Sequence, residues 1–210
     1  RSPKAKLVFP ADGTLVVSGF LGDRKELIQV KGLSYKATKL LFGTESPLVD
    51  TQFLSKSFYT TIYLAPYNYH RVHVPISSTL VRMRYIRGTL WPVNQTFTNL
   101  VPELFCINER LVFEFKLEGG ERYFLVMIGA FNVGQIISKF WPELQKELVS
   151  SFQGVKEKSC EKSLSINDEL AYFQFGSSVV LIFDKDYSLK QAWQEFKRAQ
   201  AIELGQAMIK

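Results

Sequence analysis

Cysteine and histidine are both scarce in this chain of 210 residues. It has two cysteines, Cys106 and Cys160, and two histidines. Two cysteines are too few for a disulfide framework, and their separation is not that of a metal site. We therefore expect two reduced, structural thiols in a reducing compartment.

Long apolar runs and several common motifs are also missing from the sequence. No stretch of about 18 uncharged apolar residues predicts a transmembrane helix, and no secretory signal follows Arg1. Without a basic helix, a zinc-binding spacing or an aromatic ribonucleoprotein signature, we expect no nucleic-acid partner. The Gly-x-Ser-x-Gly surroundings of an ordinary serine hydrolase are absent as well.

The charge balance is moderately basic. Lysine and arginine number 26 against 20 for aspartate and glutamate, which gives a formal net charge of +6. Such a balance suits nucleic acid or the anionic face of a membrane, and a generally solvated basic surface is the alternative. Because nucleic-acid motifs are missing, the membrane surface is the preferred partner.

Short apolar or alternating segments, bounded by turn-forming residues, predict a mainly β (α+β) fold: a single compact β-rich domain with a few short helices. A helix is predicted at residues 34–42, with Ser34 as its N-cap and Gly43 closing it, and another at 142–150. The polar segment 153–167 predicts a long surface loop. Strands are predicted at residues 6–9, 14–20, 27–30, 58–64, 79–86, 110–116 and 122–128.

Four side chains that could take part in chemistry lie at three places in the sequence. His70 and His73 lie three residues apart, so a catalytic, a structural and a metal-binding role are all open for them, although a metal would lack defined further ligands. Asp12 precedes a glycine, as in many hairpin turns. Ser177 follows Gly176 inside an apolar run, where glycine marks a bend or a close backbone approach. The order Asp12, His73, Ser177 matches one kind of hydrolytic triad.

Five segments, in the same order between about residues 7 and 183, resemble the phosphatidylserine decarboxylases of bacterial type. The segments around the two histidines and around Asn-Glu-Arg are the most specific to this family. The five are Phe-Pro-Ala-Asp-Gly at 9–13, Tyr-Leu-Ala-Pro at 63–66 with Tyr-His-Arg-Val-His-Val-Pro at 69–75, Val-Pro-Glu-Leu-Phe-Cys-Ile-Asn-Glu-Arg at 101–110, Ile-Gly-Ala-Phe-Asn-Val-Gly at 128–134 and Phe-Gly-Ser-Ser at 175–178.

The resemblance implies a proenzyme that cuts its own backbone between Gly176 and Ser177. Asp12, His73 and Ser177 match the family's self-cleavage triad, in which His73 takes the hydroxyl proton and Asp12 orients the imidazole ring. Cleavage of the single domain, residues 1–210, would give a β chain (1–176) and an α chain (177–210). We expect the two chains to associate as a heterodimer, and a dimer of these heterodimers is left open.

The resemblance also implies a pyruvoyl group formed from Ser177, which would bind phosphatidylserine as a Schiff base and yield phosphatidylethanolamine. No metal and no pyridoxal phosphate are expected. His70 is the candidate proton donor in the decarboxylation. The implied partner is phosphatidylserine in an anionic membrane. The expected location is peripheral, on the cytoplasmic face of the bacterial cell membrane, and the mitochondrial inner membrane is the second alternative.

The sequence departs from the family pattern in two places. The family most often has Leu-Gly-Ser-Thr where this chain has Phe-Gly-Ser-Ser, a change that keeps an apolar residue and a hydroxyl. We also expect the family's helical, membrane-associating N-terminal region to be missing before Arg1. Two alternatives follow: a decarboxylase of a soluble amino acid on the same scaffold, and an unprocessed homologue that only binds lipid.

Overall fold

Strands dominate the structure, as the sequence pattern predicts. The computed structural model describes residues 7–30, 32–46, 48, 51–131, 136–147, 154–173, 177–184 and 199–209. The strands are β1 (Leu7–Val8), β2 (Gly13–Phe20), β3 (Glu26–Val30), β4 (Leu33–Lys36), β5 (Phe58–Leu64), β6 (Arg71–His73), β7 (Ser78–Ile86), β8 (Arg110–Lys116), β9 (Arg122–Ile128), β10 (Ile137–Ser138), β11 (Val155–Leu164), β12 (Glu169–Tyr172), β13 (Ser177–Phe183), β14 (Gln200–Ile202) and β15 (Ala207–Ile209).

The helices are short. They are α1 (Ala37–Phe42), α2 (Gln95–Leu100), α3 (Leu104–Ile107) and α4 (Leu144–Glu147), with a 3₁₀ helix at Gln52–Lys56. Gly43 ends α1 in the left-handed conformation with a φ of 76°, as predicted. The prediction that Ser34 caps this helix is wrong. Ser34 lies in β4, where its hydroxyl donates to the Glu26 carboxylate at 3.1 Å.

An antiparallel sheet of eight strands, in the order β11, β7, β8, β9, β13, β5, β2 and β14, forms the centre of the fold. Every residue of β13 is buried, because its sequence, Ser-Ser-Val-Val-Leu-Ile-Phe, lies between β5 and β9 and is covered on both faces. A second sheet has the order β10, β12, β6, and two-stranded sheets pair β1 with β15 and β3 with β4.

The prediction of a surface loop at residues 153–167 is wrong for most of that segment. Residues Val155–Leu164 form β11, an edge strand paired with β7. An edge strand keeps much of its side-chain surface in water, so the apolar alternation that signals a strand is absent. Charge pairing replaces it, since Glu157 pairs with Arg84 and, at 3.1 Å, with Arg82.

The two cysteines are free, with Cys106 buried and Cys160 partly buried. Burial raises the pKa of the Cys106 thiol to about 12, which keeps it protonated and unreactive at neutral pH. Trp141, which precedes the segment predicted as a helix at 142–150, is also buried in the core. Good helix formers at residues 189–201 predict a further helix, and most of this segment lies outside the described residues.

Candidate active site

Ser177 is the first residue of β13, and its side chain is completely buried (0% exposed). Its Oγ has no hydrogen-bond partner among the described residues. A buried hydroxyl left unpaired costs about 1–3 kcal/mol, so such groups are uncommon in native structures. Gly176, on the other side of the expected cut, lies outside the described residues.

Asp12 lies in the turn that leads into β2. This turn does not close a hairpin, because β1 pairs with β15 while β2 pairs with β5 and β14. In the sheet, Thr14 is opposite Tyr63, which is opposite Ser178. The start of β2 is therefore two strands, or about 10 Å, from the start of β13.

Gly13 allows this close pairing of β2 and β5. A Cβ atom at this position would lie 2.4 Å from the carbonyl oxygen of Tyr63, well inside van der Waals contact. The glycine that suggested a turn in the sequence is thus required by the packing of two strands. The Asp12 carboxylate itself accepts a hydrogen bond at Oδ1 from the Leu204 N–H at 2.7 Å.

His73 is the last residue of β6 and is 7% exposed. Its N–H donates to the Pro10 carbonyl at 2.8 Å, which places the histidine beside the turn that contains Asp12. Its ring Nδ1 lies 2.8 Å from the carbonyl oxygen of Asn167. Because a carbonyl only accepts, Nδ1 carries the proton and Nε2 is free to act as a base. Nε2 is buried and has no partner among the described residues.

Sequence reasoning did not single out Asn167. Its φ of 69° is in the left-handed region, which asparagine tolerates better than most residues. Its N–H donates to the Val74 carbonyl at 2.8 Å, and the Val74 N–H donates to the Asp168 carbonyl at 2.8 Å. These bonds fix the Asn167 carbonyl against the end of β6. The Ser-Ile-Asn-Asp sequence predicts a turn here, but it carries no signal for the histidine that the turn contacts.

The ring of His73 makes no hydrogen bond with Asp12 in the part of the chain that the structure describes. The acceptor that holds its tautomer is a main-chain carbonyl. A role for Asp12 in orienting this ring therefore stays a prediction.

His70 lies on the chain segment that enters β6. Its Nε2 is 3.1 Å from the Pro66 carbonyl, so Nε2 is the protonated nitrogen, and the buried Nδ1 has no partner among the described residues. The His70 carbonyl accepts a hydrogen bond at 3.0 Å from the N–H of Phe173, four residues before Ser177. The structure thus brings His70 to the segment that leads into the expected cut.

Two arginines near the predicted segments have structural roles. Arg110 is buried and donates to the carbonyls of Lys39, Leu40, Cys106 and Asn108 at 2.7–2.8 Å. Arg84 donates to the Leu41 carbonyl at 3.0 Å. Burial lowers the pKa of the Arg110 guanidinium to about 10, so the group stays protonated at neutral pH. Both side chains are occupied in holding the end of α1 on the sheet.

A cavity of about 260 Å³ is lined by Tyr63, Gln29, Thr98 and Ser178 among others. Ser178 is in register with Ile128, and Ile128 with Arg110, whose side chain reaches α1. Ser178 therefore faces the side of the sheet that α1 covers, and Ser177 faces the opposite side. The cavity is separate from the Ser177 hydroxyl.

No group of three or more histidine, cysteine or carboxylate side chains that could hold a metal is found in the described ranges. Within the same ranges, no helix is both long and apolar enough to cross a membrane.

The Ser177 Oγ and the His73 Nε2 are thus two buried polar atoms without a hydrogen-bond partner among the described residues, on a β-rich scaffold. The family model described as phosphatidylserine decarboxylase matches residues 1–210. The chain belongs to the phosphatidylserine decarboxylase family, a family of decarboxylases.

Relatives named phosphatidylserine decarboxylase proenzyme cover almost the whole chain. The protein of Psychrobacter arcticus is 34% identical over 203 residues, which are 96% of this chain and 69% of the relative. That of Legionella pneumophila is 35% identical over 206 residues, 98% of this chain and 70% of the relative. That of Nitrosospira multiformis is 34% identical over 212 residues, which cover 97% of this chain and 69% of the relative.

Proposed function

We propose that this chain is a self-processing precursor of a pyruvoyl-dependent decarboxylase that converts phosphatidylserine to phosphatidylethanolamine. Family membership supports the decarboxylation of this lipid. One observation carries the self-processing: the Ser177 Oγ and the His73 Nε2 are both buried and both lack a partner among the described residues. These atoms are the nucleophile and the base that the reaction needs.

In the proposed cleavage, His73 Nε2 takes the proton of the Ser177 hydroxyl, and Oγ attacks the carbonyl carbon of Gly176. The peptide C–N bond breaks, the amide nitrogen is protonated, and an ester joins the two residues. Loss of the Ser177 α-proton then breaks the Cβ–O bond, which leaves a carboxylate at Gly176 and a dehydroalanine at position 177. Water converts the dehydroalanine to a pyruvoyl group and ammonia.

The sheet supports the proposal that the two products stay together as a heterodimer. Residues 177–210 contribute β13, β14 and β15, which pair with β5 and β9, with β2, and with β1, respectively. All these partner strands belong to residues 1–176. The α chain would therefore remain inserted in the centre of the sheet after the cut.

When formed, the pyruvoyl group would supply a carbonyl that joins the substrate amine and accepts the electrons left by carbon dioxide. We assign to His70 the delivery of a proton to the substrate carbon. Its buried Nδ1, which has no partner among the described residues, becomes a donor when protonated.

The partner and the location belong to the same proposal. Phosphatidylserine in an anionic membrane is the proposed partner, and the cytoplasmic face of a bacterial cell membrane is the proposed peripheral location. The net charge of +6 supports attraction to such a surface.

Intact-mass spectrometry of the wild type, Ser177→Ala and Ser178→Ala tests the processing. Ser178 is the matched control, because it is the next residue of the same strand and is also buried. We expect two chains from the wild type and from Ser178→Ala, the smaller with a blocked N-terminus, and one chain from Ser177→Ala. A wild type that stays uncut would refute the proposal, and lipid binding by that uncut chain would favour a non-catalytic lipid-binding role.

Release of carbon dioxide tests the substrate. Dispersed phosphatidylserine should support release by the processed protein, and free serine and other free amino acids should not. Release from a free amino acid alone would instead support a decarboxylase of soluble substrates.

A further inference from the structure

Apolar side chains are exposed at the end of the central sheet where β13 begins. Four of them, Tyr67, Leu90, Trp91 and Phe131, are between 38% and 89% exposed. We call these four residues the apolar rim. Burying large apolar side chains is normally favourable, so a local group of exposed ones marks a contact surface.

Two members of the rim flank Ser177. Leu64 pairs with Ser177, and Tyr67 lies three residues beyond it on the turn after β5. Ile128 pairs with Ser178, and Phe131 lies three residues beyond it, after β9. Because β5 and β9 are the two neighbours of β13, these side chains lie on either side of the strand that starts at the expected cut.

The loop that carries the other two members, Leu90 and Trp91, is held in place by Asn108, a completely buried residue. Its Oδ1 accepts from the N–H of Trp91 at 3.0 Å, and its Nδ2 donates to the carbonyls of Trp91 at 2.8 Å and Gly129 at 2.9 Å. A Cβ atom on Gly129 would lie 3.2 Å from Leu90 Cδ2. One buried amide therefore joins the loop that carries Leu90 and Trp91 to the segment that ends at Phe131.

The three segments of the rim contain no acidic residue. They are residues 65–69, 87–93 and 128–131, and their charged residue is Arg87. Tryptophan and tyrosine favour the boundary between lipid and water, where an apolar ring and a polar edge are both satisfied. The absence of carboxylates avoids repulsion from anionic headgroups.

We infer that the apolar rim is a membrane-docking surface that inserts into the headgroup region of a lipid bilayer at the end of the sheet where β13 begins. This inference rests on the proposed function, which requires phosphatidylserine to reach Ser177, the first residue of β13 at this end of the sheet. The Asn108 bonds join the loop of Leu90 and Trp91 to the segment that ends at Phe131, so this part of the rim presents its side chains without a large cost in ordering.

Co-sedimentation with vesicles tests the docking separately from the chemistry. The protein is the uncut Ser177→Ala chain alongside the wild type, and the vesicles are phosphatidylcholine with and without phosphatidylglycerol, which is anionic but is not the proposed substrate. We expect Trp91→Ala and Phe131→Ala each to weaken binding to the anionic vesicles by about tenfold. Thermal unfolding monitored by circular dichroism verifies that each variant is folded.

Phe20→Ala is the matched control, because Phe20 is an aromatic residue 52% exposed at the far end of β2. It should bind vesicles as the parent does. Equal binding by the two rim variants and the parent would overturn the inference. The inference would also be overturned if the parent did not bind vesicles but formed concentration-dependent dimers that the rim substitutions dissociate. That result would assign the surface to a second copy of the chain. Because the uncut chain is measured, a failure of self-cleavage would leave this result interpretable.

Discussion

The imidazole of His73 is oriented by the main chain of Asn167, whose carbonyl oxygen lies 2.8 Å from Nδ1. A neutral carbonyl fixes the tautomer as a carboxylate would, but it adds no negative charge to stabilise the imidazolium that forms when Nε2 takes a proton. In this structure the carboxylate of Asp12 accepts from Leu204 instead. The tautomer of His73 therefore depends on the geometry of a turn.

Substitutions at Asn167 should distinguish the contribution of its backbone conformation from that of its side chain. Asn167→Gly keeps the left-handed φ of 69° accessible and should self-cleave at nearly the wild-type rate. Asn167→Ala places a less tolerant residue in that conformation, at a cost of about 1 kcal/mol, and should slow cleavage by about fivefold. Gel electrophoresis over time measures both rates.

Nitrogen NMR of the histidine rings in the uncut Ser177→Ala chain gives the decisive control. We expect His73 to carry its proton on Nδ1, both in this chain and after a further Asp12→Asn substitution. A change of tautomer caused by Asp12→Asn would contradict the role of the Asn167 carbonyl and restore that role to Asp12.

Substitutions of the two histidines should affect self-cleavage and decarboxylation separately. His73→Asn should remain a single chain, because the proposed base for Ser177 is lost. His70→Asn should still cleave but should release carbon dioxide from phosphatidylserine at least about a hundredfold more slowly, in line with the loss of a general acid. Intact mass and carbon dioxide release measure the two steps, and cleavage by His73→Asn at the wild-type rate would remove it from the mechanism.

The pairing of Glu157 with Arg84 predicts an acid-sensitive contribution to stability. Burial raises the pKa of Glu157, but its bonds with Arg84 and Arg82 outweigh this and hold the pKa below the ordinary 4.5. A carboxyl with a lowered folded-state pKa stabilises the protein above its ordinary pKa, and this stabilisation is lost as the pH falls through the folded value.

Glu157→Gln should therefore lower the urea midpoint at pH 7, and its difference from the parent should shrink as the pH falls below 4.5. Glu161→Gln, an exposed position on the same strand, is the control and should change the midpoint little at either pH. A difference that is constant with pH would contradict the ionic origin of the effect.

Replacing Arg110 should destabilise the domain strongly. Arg110→Met keeps much of the side-chain volume but leaves four carbonyl acceptors with fewer donors, those of Lys39, Leu40, Cys106 and Asn108. We expect a loss of about 3 kcal/mol or more in the free energy of unfolding, measured by urea titration in the Ser177→Ala background. A loss below about 1 kcal/mol would show that these carbonyls find other donors.

Much of the fold could be predicted because its central strands are apolar and bounded by turn residues. The predicted strands at 58–64, 110–116 and 122–128 coincide with β5, β8 and β9. One strand that was predicted as a loop, β11, lies at the edge of the sheet, where charge pairs with β7 take the place of the apolar pattern. Ser34 was misassigned because a hydroxyl before an apolar run suits a strand end as well as a helix cap.

The sequence by itself determined the family, the β-rich class and the side chains that are proposed to bear the chemistry, because these follow from residue type and order. Only the tertiary structure decided that the Ser177 Oγ is buried with no partner among the described residues, that Gly13 is required by a neighbouring strand, and that the Asn167 carbonyl contacts His73. The last contact joins residues 94 positions apart through a main-chain carbonyl. Every residue has such a carbonyl, so its position, and not the identity of its side chain, selects the partner.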